Sequence, residues 1–329
     1  MTTTAPRHGP PPPFDAELAE PLQEIVQRIP WPLTPELIPQ SRRGVAEGVL
    51  TDDDIRRTWP YDVEEITVPG LDGEPGVRLL ICRPTLVAGP WPVIYNTHGG
   101  GMVSGSHRAA DLTDELTRAQ QVSAAVVAVE YRLAPEHPDP APIRDCYAGL
   151  TWLASNGAAF GLDPGRVVVS GNSAGGGLAA GLALMARDHD GPPLLGQMLQ
   201  CPMLDDRCDT VSARQMVRVG LWDHVSNLTG WSALLGDRRG TDGVSCYAAP
   251  ARATDLAGLP PAFIDVGSVE ALRDEAVTYA TRIWQAGGDA ELHVWSGAFH
   301  SFDWWVPQAA VSQAAMDARV VWLRRLLRR

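Results

Sequence analysis

From residue 91 onward, short apolar runs alternate with longer segments whose apolar residues recur every three or four positions. The short runs are rich in β-branched residues and predict buried strands; the longer segments predict amphipathic helices. Strands are expected at Trp91–Asn96, Ala124–Tyr131, Val167–Ser170, Gln197–Cys201, Ala262–Val266 and Glu291–Trp295. Helices are expected at Asp111–Gln121, Pro142–Ser155, Leu178–Met185, Glu270–Ala286 and, closing the chain, Gln308–Leu327. Such alternation builds right-handed βαβ crossovers on a mostly parallel sheet. Upstream, Glu64–Val68 and Gly76–Arg83 alternate around Gly73 and predict an antiparallel hairpin, which makes eight strands in all.

Two stretches fall outside this rhythm. In residues 1–60, the run Pro10 to Pro13 favours extended, unpacked chain over residues 1–13. Leu18, Leu22, Ile25 and Val26 then predict a helix from Asp15 to Arg28, stopped by Pro30 and Pro32. Residues 33–60 predict a second short helix and a linker. Residues 202–261 carry a predicted helix near Asp223–Leu235, glycine and aspartate turns, and no clear strand. An insertion on the carboxyl side of a parallel sheet is where a lid sits. The expected organisation is therefore an N-terminal segment, 1–60, and one α/β domain, 61–329, carrying the 202–261 insertion.

One junction in the alternation carries chemistry. The strand ending at Ser170 runs into Gly171-Asn172-Ser173-Ala174-Gly175, and a helix follows. Strand, turn and helix are the context a G-x-S-x-G nucleophile elbow requires, and its glycines remove Cβ atoms that would block so tight a turn. A serine hydroxyl is a poor nucleophile at neutral pH; it needs a base, a group orienting that base, and donors for the oxyanion. His98-Gly99-Gly100-Gly101 directly follows the Trp91–Asn96 strand. The amides of Gly100 and Gly101, with that of Ala174, are the candidate oxyanion donors; the plain alternative is a flexible turn.

In this fold the base and its acid follow the serine in the order acid, histidine. Of the later histidines, His189 lies in a polar helix end, His224 in the insertion and His293 inside a strand. His300 lies past the last strand in the small-residue loop Ser296–Ser301 and is the candidate base. Asp265 is inside a strand, its direction set by the pleat. Glu270 follows that strand, in the loop or at the very start of the next helix, and is the first choice of acid; Asp274 is the second, with Arg273 offering a structural salt bridge to Asp274 or Glu275. A base of this kind must be neutral, so activity should fall as pH drops through roughly 6 to 7. Trp222, Trp231, Trp304 and Trp305 are candidates for an acyl pocket, against the ordinary reading of tryptophans as core.

Composition narrows the partners. The chain is 45% hydrophobic and 20% charged with a net charge of −12, its 27 cationic residues all arginine. That balance excludes a basic nucleic-acid-binding face. Five scattered cysteines without C-x-x-C spacing exclude a zinc ribbon and fit reduced thiols. There is no apolar run long enough for a membrane span and no signal-peptide pattern, so a cytoplasmic protein is expected.

Together His98-Gly99-Gly100-Gly101, Tyr131-Arg132-Leu133-Ala134-Pro135-Glu136-His137-Pro138, Gly171-Asn172-Ser173-Ala174-Gly175-Gly176, Leu272-Arg273-Asp274-Glu275 and the loop to His300 resemble the hormone-sensitive-lipase-like bacterial esterases of the α/β-hydrolase fold. The resemblance covers about residues 90–325. It implies an eight-stranded, mostly parallel sheet flanked by helices, with 1–60 and 202–261 forming a helical cap. It implies hydrolysis of short- to medium-chain carboxylic esters without a cofactor, in a family whose members often form homodimers. Two positions depart from the family pattern: Asn172 stands where aspartate is usual, and the acid run reads Glu270-Ala271-Leu272-Arg273-Asp274-Glu275 where it usually begins with aspartate. The resemblance thus also places Glu270 at the acid position. Receptors that resemble this family, and hydrolases of amides, lactones or acetylated small molecules, are the alternatives; the receptors tend to lack the histidine retained here as His300.

Overall fold

A computed structural model describes residues 9–328. In chain order the elements are α1 (Ala16–Arg28), α2 (Ile38–Glu47), α3 (Asp52–Thr58), β1 (Tyr61–Val68), β2 (Val77–Pro84), β3 (Trp91–Thr97), α4 (Leu112–Gln120), β4 (Ala125–Glu130), α5 (Ala141–Asn156), β5 (Leu162–Asn172), α6 (Ala174–Asp188), β6 (Gly196–Gln200), α7 (Val211–Gln215), α8 (His224–Leu235), β7 (Ala262–Gly267), α9 (Arg273–Gln285), β8 (Ala290–Trp295), α10 (Phe302–Trp305) and α11 (Ala310–Leu326). Among the described residues the strands form one eight-stranded sheet in the order β1-β2-β4-β3-β5-β6-β7-β8. Only β2 runs against the others, pairing antiparallel with both β1 and β4.

Helices cover both faces of this sheet, which is why its central strands read as continuous apolar runs. Alternate side chains of each strand go to opposite faces. Val93, Tyr95, Val127 and Val169 join the core under α5, α6 and α9. Ile94, Val126, Val168, Met198 and Phe263 join a second core under α4 and α11. The chain leaves β3 for β4 on one side and then crosses to β5 on the other, so the strand order reverses between β3 and β5. Loops diverge at such a switch point and leave a crevice at the carboxyl ends of the strands. The His98–Gly101 loop follows β3 and Ser173 follows β5, so both fall at that crevice.

The hairpin and the alternation from residue 91 onward are borne out, with ends moved by one to a few residues. Three expectations change. Residues 33–60 hold two helices: α3 is closed by Thr51 and Asp54 in a reciprocal capping box. A four-residue helix, α10, follows His300, too short to show a period. The helix expected from Glu270 begins at Arg273, which leaves Glu270 in the preceding loop.

The N-terminal expectation of unpacked chain for residues 1–8 lies outside the described residues. Residues 9–13 are irregular, and the Gln215 carboxamide donates to the carbonyls of Gly9 and Pro10 at 3.1 Å each. Helix α1 buries Leu18 and Leu22 against Phe299, Phe302 and Val306, beside the loop carrying His300. Its cap residue Asp15 donates its N–H to the Gly297 carbonyl at 3.0 Å. Residues 202–261 contain α7 and α8 and, among the described residues, no strand. No helix among the described residues is long and apolar enough to cross a membrane.

Candidate active site

Ser173 sits between the last residue of β5 and the first of α6, at φ 58° and ψ −120°. That conformation is strained for a side-chain-bearing residue and persists only where the surroundings over-determine it. The surroundings are glycine backbone. A Cβ on Gly171 would land on the Gly175 carbonyl, and a Cβ on Gly175 would land on the Thr97 carbonyl oxygen. The Thr97 hydroxyl, at the end of β3, lies 2.8 Å from the Gly175 oxygen and 3.1 Å from the Ser170 oxygen. The Ser173 N–H donates to the Gln200 carbonyl at 2.8 Å, and its own carbonyl accepts from the N–H groups of Met203 and Gly177. The turn is thus clamped by β3, β6 and the chain after β6.

Ser173 Oγ lies 2.9 Å from His300 Nε2, and His300 Nδ1 lies 3.1 Å from Glu270 Oε1. The other Glu270 oxygen accepts from the Gly267 N–H at 3.1 Å, which fixes the carboxylate at the end of β7. Glu270 is 1% and His300 5% exposed, so the line from serine to imidazole to carboxylate is shielded from water. With Nδ1–H donated to Glu270, Nε2 is free to accept from the serine hydroxyl. Burial alone would lower the His300 imidazole; Cys201 and Glu270 beside it, through charge and hydrogen bonds, raise it to about 10.

Asp274, the second choice, faces elsewhere. Its carboxylate accepts from the Ser212 N–H at 2.7 Å and from Arg273 Nε at 2.8 Å, tying α9 to α7. Asp265 is buried in an ion-pair group with Arg319, which also holds Asp303, and accepts from Trp295 Nε1 at 3.1 Å. His293 stacks between Phe263 and Trp295, and His189 lies against Tyr147 and Tyr247.

The loop after β3 turns back through two glycines in the left-handed half of conformational space, Gly100 at φ 116° and Gly101 at φ 62°. A Cβ on Gly100 would meet the Ser104 carbonyl and one on Gly101 the Trp222 indole. The Gly99 N–H is engaged by Asp111 Oδ2 at 3.3 Å. Among the described residues, the Gly100 and Gly101 amides have no acceptor, and the Ala174 amide opens α6 with no carbonyl one turn back. His98 stacks on Tyr131 with ring centroids 4.0 Å apart, and the Tyr131 hydroxyl donates to the His98 carbonyl at 2.8 Å. The motif from Tyr131 to Glu136 thus props the glycine loop from behind: the Ala134 N–H donates to the Met102 carbonyl at 2.9 Å. Arg42 of α2 joins both, through the carbonyls of Val103 and Ala134 and the Glu136 carboxylate.

One neighbour of the serine, Cys201, had no sequence signal. Cys201, next to Gln200, accepts from Asn172 Nδ2 at 3.4 Å and lies 3.6 Å from the Ser301 hydroxyl, which donates to Asn172 Oδ1 at 3.1 Å. Asn172, where the resemblance has aspartate, therefore bridges β6 to the histidine loop without charge. Cys201, Glu270 and His300 also bring ligand atoms within 4.8 Å of one another.

A cavity of about 440 Å³ opens over Ser173 and His300, walled on one side by α2 and the segment after α1. Trp222, Trp304 and Trp305 line it, whereas Trp231 is 0% exposed in the core. The four tryptophans therefore divide between pocket and core.

Residues 94–303 match the model of a family described as alpha/beta hydrolase fold. This chain belongs to the α/β-hydrolase family. The hydrolase is 37% identical over 260 residues to the carboxylesterase NlhH of Mycobacterium tuberculosis, covering 78% of this chain and 79% of the relative. It is 35% identical to the esterase LipI of the same species, covering 78% of each. Among solved structures it superposes on a bacterial heroin esterase with a TM-score of 0.86 and 38% identity, over 95% of this chain and 99% of the other. The hormone-sensitive-lipase-like resemblance and the expected fold class are thereby confirmed.

Proposed function

We propose that the hydrolase is a serine carboxylesterase in which Ser173 is the nucleophile, His300 the base and Glu270 the orienting acid. The observation that carries this reading is the single hydrogen-bonded line from Ser173 Oγ through both His300 nitrogens to Glu270. Ser173 Oγ attacks the ester carbonyl carbon as His300 Nε2 takes its proton. The oxyanion is held by the amides of Gly100, Gly101 and Ala174; losing one such donor costs about 100- to 1000-fold in rate. The C–O bond to the alcohol breaks as His300 returns the proton to the leaving oxygen, leaving an acyl-Ser173 ester. Water, deprotonated by the same imidazole, then releases the carboxylic acid and regenerates the serine. Glu270 holds the imidazole tautomer and stabilises its cation without taking the proton.

Helices α1 and α2 with residues 202–261 supply the cover over this site, as their contacts with the histidine loop and the cavity support. The enclosed volume suits small esters of short to medium acyl chain. Ser173→Ala should abolish p-nitrophenyl butyrate turnover while leaving the circular dichroism spectrum unchanged; full turnover in that variant would sink the proposal. Rapid labelling of Ser173 by a fluorophosphonate is expected, and an inert serine would favour a receptor on this fold.

A further inference from the structure

The cavity continues past Ser173 over the sheet face covered by α4, where several polar groups lack a counterpart. Asn96, on β3, is only 7% exposed and lines the cavity, yet its carboxamide makes no hydrogen bond among the described residues. Asp114, in the first turn of α4, lines the same space with no ion pair or side-chain hydrogen bond among the described residues. Asp111 spends one carboxylate oxygen on the Gly99 amide, and its other oxygen is buried without a partner.

The cations nearby are already committed. Arg118 is paired with Glu115, and Arg319 with Asp265 and Asp303. Burial pushes the His98 imidazole down and the Asp111 carboxyl up, the latter against the pull of His98. Burial and the charge of Asp303 hold Asp114 up at about 6, against the pull of Arg118 and Arg319. The positive end of α4 offsets about half of one charge. Unpaired carboxylates in a shielded site are costly, and a ligand that brings the missing charge recovers that cost. Trp31, Trp304 and Trp305 line the same cavity, and indole faces attract alkylated cations.

We infer that this arm selects esters carrying a protonated alkylamine, its charge held by Asp114 and Asp111, its N–H donated to Asn96 and its alkyl groups laid against the tryptophans. A neutral hydroxylated substrate would satisfy Asn96 and leave both charges unmatched; an anionic one would be repelled. This deepens the carboxylesterase reading and rests on it.

The test compares matched pairs at pH 7.5 in a pH-stat. 2-(Dimethylamino)ethyl acetate is set against isopentyl acetate, and ethyl 4-(dimethylamino)butanoate against ethyl 5-methylhexanoate, each pair differing by N for CH. In at least one pair, kcat/KM for the amine should exceed that of its neutral twin by about tenfold. Asp114→Asn, and separately Asp111→Asn, should bring that ratio towards one; any loss of folded enzyme cancels in the ratio. Equal or greater turnover of the neutral twin in both pairs would overturn the inference and leave the esterase standing. A ratio unmoved by both substitutions would overturn it too. Failure to hydrolyse any of the four esters would sink the esterase reading and this one together.

Discussion

At the elbow, backbone lies on backbone: Gly175 passes so close to Thr97 that a single added carbon has no room, and Gly171 stands as close to Gly175. Over the cavity the contacts are of another kind. Leu33 reaches Ser226 by one hydrogen bond at 2.9 Å, Arg42 grips two carbonyls and a carboxylate, and Trp222 lies across Gly101. The floor is set by atoms every residue shares and tolerates almost no change at its glycines; the cover is set by side chains that can be exchanged. On the proposed reading the floor fixes the reaction, and the cover and the arm beyond Asn96 fix what is admitted to it.

That contrast breaks first at Gly175. Gly175→Ala drives a methyl into the Thr97 carbonyl at a position with no flexible neighbour, a backbone collision at or beyond the upper end of the ~1–3 kcal/mol typical of overpacking. Loss of p-nitrophenyl butyrate turnover by more than about 1000-fold and a lowered Tm are expected. A variant with near-native activity would show that the floor can yield.

Next in size is the choice between the two acids. Glu270→Gln should lower kcat by about 10⁴-fold, the cost of losing the orienting charge on the histidine. Asp274→Asn weakens the tie between α7 and α9 and should reduce kcat only a few-fold, the effect appearing in Tm instead. Equal kinetic losses would mean that Glu270 is structural.

A gentler probe of the floor is pH. Cys201 and Glu270 raise the His300 imidazole above its ordinary 6.5, and the proposed base works only when deprotonated, so kcat/KM should fall as pH drops through a midpoint above 6.5. This moves the expectation of 6 to 7 read from the sequence upward. In the weak residual activity of Glu270→Gln the midpoint should shift to lower pH. A midpoint unchanged between the two proteins would remove Glu270 as the source of the shift.

The same division governs what could be read along the chain. β3 and β5 were legible because strands buried on both faces are continuous apolar runs, and Ser173 because its two glycines are a steric necessity written in the sequence. Glu270 against Asp274 hung on where α9 begins, and three residues of helix start leave little trace in a periodic pattern. Arg42, Asp111 and Cys201 act through contacts with chain remote in sequence, so no local pattern pointed to them. The tryptophans were ambiguous for a different reason: Trp222 beside the cavity and Trp231 in the core are equally apolar, and only packing separates them.

Trp222 gives the smallest effect and the sharpest reading of the cover. Its indole lies over Gly101, 6.1 Å from the His300 ring, and its Nε1 donates to Asn227 Oδ1 at 3.2 Å. It touches the loop whose amides are proposed to face the oxyanion, yet through a side chain and from above. Trp222→Ala should leave the elbow and the His300–Glu270 pair in place and widen the cavity beside the serine. The expected result is a change in preference: kcat/KM for acetate falls by up to about tenfold while that for hexanoate falls less or rises, as pocket volume rather than chemistry has changed. The acid midpoint of the pH profile should not move. A uniform loss across acyl lengths, with a displaced midpoint, would instead make Trp222 part of the floor, holding the Gly100–Gly101 amides in register.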